Sequence, residues 1–159
     1  MKNIKIEIKW ALIFVAMMLL WMLLEMLAGF HGEHIDKHAI ITNFVAIPAI
    51  AVYVFALLDK RRNFYNGIMS YKQGFVSGLI ITLIVTILSP LTQYITSTII
   101  TPDYFNNIIE YSVKENKMTQ EDADNYFNLS SYIIQTVIFT PVMGIITSAI
   151  VAIFTRSKK

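Results

Sequence analysis

Of the 159 residues in this chain, 55% are hydrophobic and only 15% charged, and the mean hydropathy is +0.56. A soluble domain of that size would have too little polar surface to present to water, so the composition excludes one. The net charge of +2 makes no case for nucleic acid, and the lack of cysteine rules out disulfides, thiolate catalysis and cysteine metal sites.

The charges gather in residues 1–10, 31–38, 59–72, 101–124 and 155–159, and the runs between them are almost uncharged. Crossing a hydrocarbon core of about 30 Å takes roughly 20 residues at helical rise. Four apolar runs meet that length: residues 10–30, 39–58, 71–100 and 132–154. Lipid offers no hydrogen bonds to a backbone, so each run is predicted to be a helix. The expected fold is an all-α polytopic membrane protein, one domain over residues 1–159, with residues 102–131 as a helical insertion. The first run has a basic start like a signal peptide. Its length, Glu25 within it and the lack of a small-x-small cleavage site favour an uncleaved helix.

The connections set the orientation. Lys2, Lys5, Lys9, Lys60, Arg61, Arg62, Lys72, Arg156, Lys158 and Lys159 fall on one side, against Lys37, Lys114 and Lys117 on the other. That bias puts both termini on the cytoplasmic side. Trp10, Phe30, Tyr71, Tyr104 and Tyr132 sit near the expected interfaces as an aromatic belt would, whereas Trp21 does not.

Within the insertion, Thr101-Pro102-Asp103 reads as a helix start, with a capping hydroxyl and a proline at the first helical position. Tyr104, Phe105, Ile108, Ile109 and Val113 then recur at helical spacing. Thr119-Gln120-Glu121-Asp122 reads as a second start of the capping-box type. A helix-turn-helix cap is predicted, lying on the outer leaflet or over the mouth of the bundle, with a flexible loop as the plainer alternative. Asn128-Leu129-Ser130 matches a glycosylation sequon, a short pattern that is common by chance.

Arg62, Asn66-Gly67, Ser70-Tyr71, Gly74 and Gly78 lead into the third run, Thr101-Pro102-Asp103-Tyr104 follows it, and Pro141, Gly144 and Ser148 mark the last one. This order resembles a family of small four-helix bacterial inner-membrane proteins, found mostly in Bacteroidota and catalogued as a domain of unknown function. The likeness spans nearly the whole chain. It is most specific in the Gly-Ile-x-Ser-Tyr…Gly…Gly stretch and the Pro-Asp-Tyr-Phe segment, and weakest in the first two helices. It implies the same topology and an inner-membrane location, but carries no activity and no catalytic residues.

Several side chains invite a functional reading. Glu25 is the one acid inside a span, where an ionised carboxylate is costly unless it faces protein or water. It is a candidate proton or cation site, with Asn43, Gln93 and Gln135 (and Thr42 and Tyr94) as candidate partners in the same half of the membrane. The plainer reading is that it reaches the headgroups or bonds to another helix. His31, His34 and His38 form the densest metal-capable group, since neutral imidazoles suit zinc or copper. Its spacing is not His-Glu-x-x-His, and a simple polar turn explains it as well. Ser70, Gly74 and Gly78, and Thr140, Gly144, Ser148 and Ala152, make small-residue stripes that let helices approach closely, either within one chain or between two copies. Pro48, Pro90 and Pro141 lie within or near the ends of three spans, with Ser89, Thr92 and Thr140 as hydroxyls able to satisfy the carbonyls they free. Lys60-Arg61-Arg62 could hold anionic headgroups.

These features favour a non-enzymatic bundle with a structural, accessory or regulatory role. Its expected partners are the lipid bilayer and either a second copy or a membrane complex, and no cofactor is expected. The alternative is a subunit of an oligomeric proton- or cation-linked transporter or channel that uses Glu25.

Overall fold

A computed structural model of the chain describes residues 4–157; Lys2, Lys158 and Lys159, counted in the charge bias, lie outside the described residues. Among those residues the structure is all helical: α1 (Lys5–Leu27), α2 (Ile35–Ile41), a 3₁₀ turn (Thr42–Val45), α3 (Ala46–Asn63), α4 (Tyr71–Ile95), a π turn (Thr96–Ile100), α5 (Tyr104–Lys114), α6 (Gln120–Tyr126) and α7 (Leu129–Thr155). Four continuous rods are long and apolar enough to cross a membrane: Lys5–Leu27, Ile35–Asn63, Tyr71–Ile100 and Leu129–Thr155.

Round the bundle the order is α1, α3, α7, α4, with the most extensive contact between α4 and α7. The first turn of α1 and the last turn of α7 lie at one end, and α5 and α6 form a hairpin at the other. Large apolar side chains such as Leu20, Leu24, Phe55, Ile87, Phe139 and Phe154 point outward. The buried core is built instead from Ala11, Tyr53, Ala56, Leu57, Ile81, Val85, Val151 and Ala152. A soluble protein would bury the first set, so this distribution suits a lipid solvent.

The α4–α7 seam takes up Gly74, Gly78, Gly144, Ser148 and Ala152 of the small-residue stripes within one chain, whereas Ser70 is exposed and caps α4. Gly78 lies against Ser148 and Gly144 against Thr82, so each helix lends a hydroxyl-bearing side chain to a notch in the other. Both hydroxyls turn back onto their own helices: Thr82 Oγ1 donates to the Gly78 carbonyl (3.0 Å) and Ser148 Oγ to the Gly144 carbonyl (2.6 Å). Tyr53 joins from α3 with its hydroxyl 2.8 Å from Thr82 Oγ1. In lipid, close packing of this kind replaces the hydrophobic drive between helices.

Several boundaries differ from the expected ones. α1 starts five residues early because its charges have partners. Glu7 is buried and lies 2.9 Å from Lys60 Nζ, and Ser77 Oγ donates to it at 2.6 Å. Lys9 pairs with Asp59, which also accepts from Trp10 Nε1 at 2.7 Å. Lys60 therefore faces the bundle interior rather than lipid headgroups. Arg61 donates to the Thr155 carbonyl (2.9 Å), where the end of α7 exposes unpaired acceptors. α4 opens with a capping box between Ser70 and Gln73. α7 begins at Leu129, three residues early, because the Asn128 side chain accepts from the Ser131 amide. At Pro90 the freed Thr86 carbonyl accepts from Ser89 Oγ at 2.9 Å, as the neighbouring hydroxyl suggested.

In the hairpin, Thr119 caps α6 by accepting from the Asp122 amide. The start of α5 is different from that predicted. Asp103 is its N-cap and makes no side-chain capping bond, while Thr101 is buried and contributes its carbonyl to the Tyr104 amide at 3.2 Å. The apolar face of α5 packs through Tyr104 and Ile108 onto Ile35, with Phe105, Phe127 and Tyr132 around them.

Candidate functional site

The hairpin end of the bundle gathers Glu25, His31 and His38, three residues from two helices and the turn between them. α1 stops at Leu27, and Gly29 adopts a left-handed conformation (φ 82°), a form that glycine takes without a steric cost. The chain reverses there, the His34 amide donates back to the Gly29 carbonyl at 2.9 Å, and His31 is laid over the last turns of α1. α2 then rises from Ile35 and brings His38 to the same point.

Both oxygens of Glu25 are engaged. Trp21, one helical turn before it, donates its indole N–H to Oε1. Oε2 lies 3.1 Å from His31 Nε2 and 3.3 Å from His38 Nδ1. The first contact has hydrogen-bond geometry; the second has the distance without the alignment, which leaves His38 Nδ1, like His31 Nδ1, buried with no hydrogen-bond partner among the described residues. Glu25 and His31 are each only 3% exposed at the side chain, and His38 13%. A carboxylate oxygen and two imidazole nitrogens thus lie within 4.8 Å of one another, a donor set able to hold a metal ion or share a proton.

The hairpin closes this site. The Tyr104 ring stands 5.2 Å from His31 and 5.1 Å from His38 between centroids, and the two imidazoles are 5.0 Å apart, each pair edge-on. Asn107, one turn along α5, donates its side-chain N–H to the His31 carbonyl at 2.8 Å. Burial is the main cause that raises the Tyr104 phenol above its ordinary pKa of 10.0. The Glu25 charge adds to the shift, and the hydrogen bond with Tyr132 opposes it.

The two groups read separately from the sequence, the intramembrane acid and the histidine turn, therefore meet in one place. His34 is not part of it, since its ring lies against Phe30 at 6.3 Å. The polar residues considered as partners of Glu25 sit elsewhere. Asn43 is exposed and donates to the Ala39 carbonyl, Gln93 donates to Ser97 Oγ, and Gln135 accepts from the Tyr126 hydroxyl at 3.5 Å. Trp21, Tyr104 and Asn107 were not singled out for the site. Only Trp21 carried a signal, as a tryptophan off the aromatic belt and four residues from a buried acid on the same helix.

A second buried polar group, Glu7–Lys60–Ser77, lies at the terminal end of the bundle, on the far side from the histidines. Its carboxylate is matched by an ammonium and a hydroxyl, which makes it a structural contact.

No curated protein and no solved structure matches the chain. The family model described as "Protein of unknown function (DUF4199)" matches residues 9–157, and the chain belongs to that family.

Proposed function

We propose that the protein is a non-enzymatic accessory or regulatory unit of a bacterial cytoplasmic membrane, with both termini in the cytoplasm and the hairpin on the opposite side. The ten-to-three division of Lys and Arg between the connections supports that orientation. The observation that carries the reading is the tether between hairpin and buried site. Asn107 holds the His31 carbonyl and Tyr104 covers both imidazoles, so occupancy or charge at Glu25, His31 and His38 acts directly on α5. A shallow groove lined by Asn106, Ile109, Glu110, Val113, Gln120 and Asp124 lies on the same hairpin and offers a partner mixed polar and apolar surface. The rest of the bundle supports a scaffold role, with the buried hydroxyls of Thr82, Ser148 and Thr155 spent on carbonyls of their own helices.

The test is site-specific photocrosslinking from Asn106 in native membranes. The expected result is one discrete adduct with another membrane protein, diminished several-fold when Asn107→Ala cuts the tether. Recovery of uncrosslinked chain alone from every groove position would overturn the reading.

The burial of Glu25 beside two imidazoles favours a second reading, a subunit of an oligomeric proton- or cation-linked transporter. Under it, Glu25→Gln abolishes a proton- or cation-dependent flux in proteoliposomes; equal flux in wild type and variant, or none in wild type, refutes it.

A further inference from the structure

We propose that Glu25, His31 and His38 form a binding site for one divalent transition-metal ion of the zinc class, with an exchangeable fourth position. The inference stands whether or not the hairpin recruits a partner.

The distances carry it first. In a tetrahedral zinc site with bonds near 2.1 Å, neighbouring ligand atoms are separated by about 3.4 Å. Glu25 Oε2 lies 3.1 Å from His31 Nε2 and 3.3 Å from His38 Nδ1, so two edges of such a tetrahedron are already in place. One ligand atom from each of the three residues falls within 4.8 Å of the other two, so the remaining edge is of the same order.

A second observation points to a ligand. His38 Nδ1 is buried, faces the carboxylate and has no hydrogen-bond partner among the described residues. In the tautomer that leaves this nitrogen unprotonated, its lone pair beside an anionic oxygen is satisfied by a cation set between them. The surroundings are those of a prepared site as well. Trp21 holds the non-ligating Oε1, which leaves Oε2 turned toward the histidines, the outer-shell arrangement that orients metal-bound carboxylates. Asn107 fixes the backbone of His31 from behind, and the Tyr104 ring braces both imidazoles.

Ligand type selects the ion. Two imidazoles and one carboxylate suit zinc and its neighbours, whereas magnesium and calcium require oxygen donors. Three protein ligands leave one tetrahedral position for water or an incoming group, unlike the four-ligand closure of a purely structural zinc. His31 Nδ1 has no outer-shell partner among the described residues, which also speaks for exchange rather than permanent retention. His38, the most exposed of the three, marks the side of entry.

The experiment uses the full chain, purified in detergent without a polyhistidine tag and titrated with cobalt chloride. Tetrahedral cobalt gives an intense visible d–d band. The expected result is one cobalt per chain with such a band, erased by an equivalent of zinc. His31→Ala and His38→Ala lose the band. His34→Ala keeps it, and Trp21→Phe weakens cobalt affinity about 10-fold through the outer shell. Circular dichroism on each variant separates loss of ligand from loss of fold. Wild-type protein without a band, or a band that persists in folded His31→Ala and His38→Ala, overturns the proposal. So does a pH-dependent spectral change without cobalt uptake, which would mean that the site holds a proton only. Crosslinking from Asn106 is scored independently, so failure of the metal site and failure of the accessory role are distinguishable.

Discussion

Ser148 on α7 sits so close to Gly78 on α4 that a β-carbon added to the glycine would lie 2.7 Å from the serine Cβ and 3.3 Å from its Cα. The reciprocal contact is equally tight, with Thr82 Cβ 2.9 Å from a β-carbon added to Gly144. These neighbours cannot be cleared by a side-chain rotation, so the helices themselves must separate.

Gly78→Ala and Gly144→Ala are therefore expected to destabilise the bundle by about 1–3 kcal/mol each, the usual cost of overpacking. Gly32→Ala is the control, because its added carbon meets only Asn107 Nδ2 at 3.7 Å. Thermal unfolding in detergent measures all three. A melting temperature for Gly144→Ala equal to that of Gly32→Ala would show that the seam tolerates separation.

At the terminal end, removal of one charge should cost more than removal of both. Glu7→Ala removes the carboxylate 2.9 Å from the buried Lys60 ammonium, and breaking such a pair costs about 3–5 kcal/mol. The double variant Glu7→Leu, Lys60→Met removes the pair together and is expected to recover most of that loss. A double-mutant cycle in unfolding free energy checks it, and additive losses would refute the coupling.

The legibility of this fold followed sequence distance. The four spans were plain from charge-poor runs of adequate length, the hairpin from the helix-start residues near Thr101 and Thr119, and Gly78, Gly144 and Ser148 from their recurrence at every fourth position. Contacts set by packing were not legible. Glu7 meets Lys60 across 53 positions, and nothing local in Lys5–Lys9 says which helix its face will find. The same limit split the candidate site in two. Glu25 and Trp21 share a helix face and could be paired from spacing, but His31 reaches Glu25 only because the chain reverses at Gly29. Asn107, 76 positions from His31, comes into range only once α5 has folded back over the bundle.

Alkaline pH should weaken the hairpin end through Tyr104. Its phenol is buried, and its pKa is raised above 10.0 chiefly for that reason. Below the unfolded value both states carry the proton, so the group's contribution is fully present. As pH rises toward the folded value, only the unfolded chain loses its proton, and the contribution is lost. Melting temperature measured against pH is expected to fall above about pH 10, and to fall less steeply in Tyr104→Phe. Equal slopes in the two proteins would show that Tyr104 is not the group responsible.

The Asn107 tether predicts a local effect that global unfolding alone would understate. One hydrogen bond contributes about 1 kcal/mol to overall stability, so Asn107→Ala should lower the melting temperature only modestly. Asn107→Asp is the sharper variant, because a carboxylate cannot donate to the His31 carbonyl and would face it with like partial charge. Segments with few anchoring contacts open separately from the core. Hydrogen–deuterium exchange is therefore expected to speed up in α5 and in residues 28–34 in both variants, more in Asn107→Asp, while the α4–α7 seam keeps its wild-type protection. Unchanged exchange in α5 would show that the cap is held by the Tyr104–Ile108 packing alone, and faster exchange throughout would show that hairpin and bundle open as one unit.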